Sequence, residues 1–283
     1  MSTNEIKTKL STPFTFSQSS LQDFTDCNRR FQLRYVEKLQ WPAVETAPIL
    51  ENERRQMEGQ QFHRMVHQSI LGLPAEKISF IVNNSKGSNL ERWWDNYLSA
   101  RRTILASLDE QNNFPEQSLS SPLGKHRVTA KYDLIAVKDG QATIYDWKTY
   151  QKRPKDEWMA VRWQTKVYLS LLLKAGAHLN HGQPFIPEKI EMVYWYADFP
   201  TEPSRFKYNA TRFERDWDEL TNLVSEISSK QSFPLTNDEK RCGFCPYRSF
   251  CERGVSAENG ENLEPDAISD WDINLEQIQE IEF

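Results

Sequence analysis

Residues 127–148 constrain the fold of this chain more than any other stretch. Arg127 to Val137 is rich in β-branched and aromatic residues, Lys138-Asp139-Gly140 reads as a tight turn, and Ala142 to Lys148 is a second run of strand formers. The pattern predicts two antiparallel strands joined by a short turn. Side chains alternate with period two, so Ile144, Asp146 and Lys148 share one side of the returning strand, and a carboxylate and an amine project together. The first strand brings Asp133 across the hairpin among Tyr132, Leu134 and Ile135, where a charge is costly unless it is paired or metal-bound. Two carboxylates and a substrate phosphate suffice for a hard divalent ion such as Mg²⁺, and a neighbouring Lys can orient or deprotonate a water.

The elements around the hairpin follow from periodicity. Phe14 to Leu39 predicts two short helices, the first capped by Ser17, with Cys27 at their junction. Glu51 to Leu71 predicts a helix that carries His63 and His67 one turn apart and ends at Gly72 and Pro74. A third helix is expected over Asn89 to Leu108, followed by a loop marked by Pro115 and Pro122. Beyond the hairpin, Glu157 to Lys174 predicts one amphipathic helix, with Gln164 and Tyr168 on a single face at i and i+4. Lys189 to Ala197 reads as a strand with Arg205 to Tyr208 as its partner, and Thr211 as the cap of a last helix to Ser228. This order of helices and strands predicts an α/β class with a central mixed sheet flanked by helices.

The four cysteines are spaced unevenly. Cys242, Cys245 and Cys251 cluster near the C-terminal end and Cys27 stands alone far upstream. In a reducing compartment four such thiols suggest a metal centre rather than disulfides, and four thiolates suit Zn²⁺ or an iron–sulfur cluster. A zinc ribbon usually shows two close CxxC pairs. Three close ligands and one remote favour a 4Fe-4S cluster that joins the N- and C-terminal segments.

The chain has 35 Lys and Arg against 40 Asp and Glu, a net charge of −5 that taken whole argues against a nucleic-acid partner. The distribution reverses that argument. Nine acids and no base lie between Ala257 and Phe283, which leaves 35 bases against 31 acids, or +4, on residues 1–256. Arg29, Arg30, Arg34, Arg64, Lys131, Arg162 and Lys166 are among the cations that sit in or beside the segments above, as a phosphate-binding groove would require. The tail mixes its acids with Trp271, Ile273, Leu275 and Phe283, and is expected either to dock a partner, to mask the basic groove or to pack on the domain as a helix. Apolar runs such as Leu169 to Leu173 fall far short of the roughly 20 residues of a spanning helix. Met1 to Leu10 lacks the apolar core of a secretory signal, so a cytoplasmic location without membrane contact is expected.

In chain order these pieces resemble the RecB-type iron–sulfur exonuclease branch of the PD-(D/E)XK nuclease superfamily, which includes the AddB nuclease domain and the CRISPR-adaptation exonucleases. The resemblance spans Phe14 to about Glu252 and rests on Cys27-Asn28-Arg29-Arg30-Phe31, Gly59-x3-His63, Asp133, Asp146-Trp147-Lys148-Thr149, Gln164-x3-Tyr168 and the trio Cys242, Cys245 and Cys251. It departs from the family at Ala130, where a glycine is common, and at Asn28, where a proline is common. The resemblance implies a restriction-endonuclease-like core. It implies that His63, Asp133, Asp146 and the Trp147 carbonyl hold Mg²⁺ or Mn²⁺, and that Lys148 positions the nucleophilic water. Gln164 and Tyr168, with Arg30 from the basic set, would contact DNA, while Cys27, Cys242, Cys245 and Cys251 would hold a structural cluster.

The expected organisation is therefore a nuclease domain over 1–256, including the cysteine staple, and an acidic tail over 257–283. The expected activity is metal-dependent hydrolysis of phosphodiester bonds in DNA by Asp133, Asp146 and Lys148, as an exonuclease on single strands or frayed ends serving repair, recombination or defence. The chain has no G-x-x-x-x-G-K-[ST] loop, so processive work would need a separate helicase as partner. The rival expectations are an inactive nuclease-like module that binds DNA or a partner, and a zinc-stapled scaffold with no nucleic-acid role.

Overall fold

The computed structural model describes residues 9–39, 47–83, 89–102, 108, 112–243 and 245–253. The acidic tail lies outside them. The hairpin forms where the sequence placed it, as β3 (His126–Lys138) and β4 (Gln141–Lys148), in register Leu134 opposite Tyr145 through Lys138 opposite Gln141. Asp139 and Gly140 both take positive φ, 52° and 73°, the left-handed pair that a two-residue turn needs to match the twist of its strands.

β3 also pairs along almost its whole length with β2 (Asn112–Leu123), and briefly, in parallel, with β1 (Thr15–Phe16). β4 continues the sheet in parallel with β5 (Ile190–Tyr196), which pairs antiparallel with β6 (Phe199–Lys207). Among the described residues the result is one mixed, six-stranded sheet. The loop expected around Pro115 and Pro122 is thus a strand. β2 pairs on one side only, and an edge strand tolerates a missing N–H.

Alternation along β4 and β5 sends side chains into two cores. Ile144, Met192, Tyr194 and Tyr196 join one, and Tyr145, Trp147, Val193 and Trp195 join the other. The first core is roofed by α1 (Gln18–Asp26), α2 (Asn28–Phe31), α6 (Asp156–Val161), α7 (Trp163–Ala175) and α8 (Ala210–Ser229). The second is covered by α3 (Ala47–Ile70), α4 (Ala75–Asn83) and α5 (Leu90–Arg101) through Phe62, Val66, Ile78, Trp93 and Tyr97. The chain is therefore an α/β/α sandwich, since a sheet apolar on both faces needs helices on both.

Four sequence expectations change in detail. The helix expected over 157–174 is two, because Arg162 is extended at φ −63°, ψ 145° and divides α6 from α7. Asn209, not Thr211, caps α8 by accepting from the Arg212 N–H at 2.8 Å. The strand pairing with β5 starts at Phe199 rather than Arg205, and α5 ends at Arg101 rather than Leu108. The periodicity reading passed over α4 and the two-residue β1. Ser17 does cap α1, in a reciprocal box with Ser20, and Cys27 ends α1 and begins α2.

Candidate active site

The ladder between β3 and β4 stops at Leu134 and Tyr145, one residue before Asp133 and Asp146. At that point β3 changes its alternation: Tyr132 and Ile135 both enter the first core, whereas Leu134 enters the second. Glu116, opposite the irregularity on β2, has φ 54°. The kink lets the Asp133 carboxylate lie along the sheet, where Oδ2 accepts the backbone N–H of Trp147 at 2.8 Å. Its Oδ1 lies 3.2 Å from Nδ1 of His63, which α3 delivers from the second-core layer. Gly59, one turn earlier, makes this approach possible. A Cβ there would come within 3.1 Å of the Thr149 hydroxyl at the end of β4.

Asp146 points to the opposite layer with Lys148, as period two requires. Lys148 Nζ lies 2.9 Å from Asp146 Oδ2 and donates to Gln164 Oε1 at 3.0 Å, while Gln164 Nε2 donates to Asp146 Oδ1 at 2.6 Å. A closed ring of carboxylate, ammonium and amide results, supplied by one strand and the first turn of α7. The rings of Tyr150 and Tyr194 stand 5.7 and 5.5 Å from the ammonium. The sequence reading did not single out these aromatics, although the alternation of β5 places Tyr194 on this face.

The two carboxylates titrate in opposite directions. Burial pushes Asp133 up, but His63, the Trp147 N–H and Lys148 outweigh it and hold the group below the usual carboxylate range. Burial dominates at Asp146, with Asp133 adding to it against Lys148, and raises it to about 6. Asp146 Oδ2 is a buried oxygen with no aligned hydrogen-bond donor, its contact with Lys148 being an ion pair only. A carboxylate raised by burial and by the charge of Asp133, with one oxygen that lacks an aligned donor, is a group whose charge a divalent cation would offset. Among the described residues no three His, Cys, Asp or Glu side chains already converge on one point. His63 is turned onto Asp133, and Asp146 is engaged by Gln164 and Lys148.

The remaining expected site residues are placed as follows. Gln164 is buried and holds Asp146 and Lys148. Tyr168 is buried, donates to the Lys131 carbonyl at 2.7 Å and packs on Tyr132 with ring centres 4.7 Å apart. Trp147 buries its indole in the second core. Arg30 is committed to Asp23 at 2.8 Å and Asp26 at 3.0 Å, inside a junction where Asp23 also binds Arg34 and Tyr35.

That junction is where the C-terminal segment docks. Arg241 pairs with Asp26, and the Tyr247 hydroxyl donates to the Leu39 carbonyl at 3.1 Å. Cys27, Cys242, Cys245 and Cys251 are free thiols, partly buried. Burial pushes Cys245 up to about 12 against the pull of Arg30, and Cys27 and Cys251 push it the same way; Cys251 is raised by burial, then by Cys27 and Cys242. The thiols thus hinder one another's ionisation, and among the described residues they do not converge on one metal point. No described helix is long and apolar enough to cross a membrane.

A structure designated SSO0001 shares 13% identity over 87% of this chain and 90% of its own, with a TM-score of 0.39. A protein of Eubacterium rectale provisionally named an exonuclease shares 10% identity over 86% of this chain and 89% of its own, with a TM-score of 0.48. Among curated proteins no significant match is found. The model of one family, the PD-(D/E)XK nuclease superfamily, matches residues 15–252, from β1 through the strands that bear Asp133, Asp146 and Lys148 to the cysteine segment. On a match of that extent, the chain belongs to the PD-(D/E)XK nuclease superfamily.

Proposed function

We propose that this protein is a divalent-metal-dependent deoxyribonuclease that acts as an exonuclease on single strands or frayed ends. The observation that carries the reading is the ring of Asp146, Lys148 and Gln164 set beside Asp133, which is tied to the Trp147 N–H and His63. Asp133 and Asp146, with His63 and the Trp147 carbonyl, would hold Mg²⁺ or Mn²⁺. When bound, such an ion supplies a Lewis acid at the scissile phosphate. Lys148 is fixed by Gln164 and Asp146 where its ammonium can orient a water and offset charge that develops on the phosphate. Gln164 acts behind these groups, setting the angle of the carboxylate and the reach of the amine. His63 holds Asp133 ionised.

The four cysteines are proposed to hold a 4Fe-4S cluster that fastens the C-terminal segment to α1 and α2, with structural rather than redox work. A separate helicase would supply unpaired ends, and the setting would be DNA repair, recombination or defence. The test is cleavage of labelled single-stranded DNA with Mn²⁺ by anaerobically purified protein whose absorption near 400 nm is recorded. Wild type should degrade the strand, and Asp146→Ala and Lys148→Ala should each lose at least about 10³-fold in rate with an unchanged cluster spectrum. Near-wild-type rates in either variant would remove the site assignment. A brown, folded wild type that leaves DNA intact would identify a binding module instead.

A further inference from the structure

We propose that a chamber of about 360 Å³ beyond the end of β4, on the α3 and α5 side of the sheet, receives one unpaired nucleotide of the substrate strand and holds its phosphate on Arg92. The proposal rests on the nuclease reading above and names the part of the substrate that the site selects. The chamber opens where the parallel strands β4 and β5 end together at Lys148 and Tyr196, the place in an α/β sheet where backbone diverges and ligands enter. Thr149 and Gln151 wall it just beyond Lys148, and Asp198 just beyond β5. Asn89 and Arg92 close it from the start of α5, and Arg55 from α3, two turns before His63. A ligand in it therefore lies on the α3 and α5 side of the sheet, across the end of β4 from the face to which Asp146 and Lys148 project.

Arg92 is set as a phosphate ligand would be. Its Nε donates to Asp198 Oδ1 at 2.9 Å, and Nη2 lies 2.7 Å from the same oxygen and donates to Asn89 Oδ1 at 3.0 Å. These bonds fix the guanidinium plane and leave both N–H groups of Nη1 without a described partner, on a side chain 57% exposed. An oriented, half-satisfied guanidinium binds a phosphate at low entropic cost. Arg55 adds a second positive charge, and the amide of Gln151 supplies a donor and an acceptor that suit a base edge, while Asn89, which donates to Glu58 at 2.8 Å, holds Arg92 in place. The volume is at the small end of ligand sites and fits one nucleotide, not a base pair. A duplex must then fray before its end can enter, which gives the enzyme its preference for unpaired strands.

The test uses the full-length protein in two measurements. Deoxyadenosine 5′-monophosphate is titrated by NMR without added divalent metal, and kcat and KM are measured on a single-stranded oligonucleotide with Mn²⁺. Arg92→Ala should weaken nucleotide binding and raise KM, each about tenfold, with kcat within about twofold of wild type, and Arg92→Lys should recover part of both. Asp146→Ala, which stops cleavage, should bind the nucleotide as wild type does. Nucleotide binding that is absent in wild type, or that survives Arg92→Ala unchanged, would overturn the proposal. If wild type does not cleave, the nuclease reading falls alone, and Arg92-dependent nucleotide binding still upholds the chamber. Should Arg92→Ala fail to fold, Gln151→Ala is scored by the same two measurements.

Discussion

Asp146 carries its charge against its surroundings, and that resistance is measurable. Its carboxyl is lifted to about 6 by burial and by Asp133, while Asp133, held low by His63 and the Trp147 N–H, stays ionised throughout the neutral range. A proton and a divalent ion therefore compete for Asp146. Calorimetry should find Mn²⁺ affinity level above pH 6 and falling about tenfold per pH unit below it, with close to one proton released per ion bound at the low end. An affinity flat from pH 5 to 8 would show that Asp146 is not a ligand. At this scale the sequence was informative where a rule of alternation operates: Asp146 and Lys148 share a face because strands have period two. It was silent where one side chain answers another across the fold. Gln164 is legible as a polar position on a helix face, yet nothing local shows that its amide closes a ring with both charges. Arg30 reads as a surface cation until Asp23 and Asp26 are seen around it.

The elements set those side chains in place by being interrupted where a regular element would continue. α7 begins afresh after the extended Arg162, with the Trp163 indole donating to Thr25 at 2.8 Å and the Arg162 guanidinium 4.4 Å above Trp158. Tertiary contacts override a helical periodicity that runs unbroken through the sequence. The kink of β3 at Asp133 is equally hidden, because the alternation breaks without a glycine or proline to mark it. Asp139-Gly140 and Ser17, by contrast, act within their own turn and cap, and are legible from the local sequence. The approach of α3 to β4 yields a prediction at this level. Gly59→Ala places a methyl 3.1 Å from the Thr149 hydroxyl, so helix or hydroxyl must yield by a few tenths of an ångström, and His63 shifts against Asp133. Cleavage should fall roughly three- to tenfold, and the double variant with Thr149→Ala should recover most of it. An unaffected single variant would mean that α3 has slack at this crossing.

Taken whole, the molecule draws its candidate site from three layers, with His63 above the sheet, Gln164 below it and the acids and Lys148 in the sheet itself. That convergence is a property of the sandwich and has no local signature, whereas the α/β class, the mixed sheet and the chain order of the motifs do. The terminal junction makes its own prediction. If four thiolates hold a cluster between Cys27 and the 242–251 segment, Cys245→Ser or anaerobic chelation should accelerate amide exchange in 18–36 and 236–243 at least about tenfold. The β3–β4 ladder should keep its protection. Uniform acceleration, or none, would count against a local staple. The outer strands carry a different kind of consequence. β2 holds Pro115 and Pro122, and β6 holds Pro200 and Pro203, so both flanks of the sheet lack backbone donors at intervals. A foreign extended chain seeking to lengthen the sheet would find a broken template on either side. An enzyme that handles long flexible polymers is thereby kept from treating its own unfolded relatives as a seventh strand.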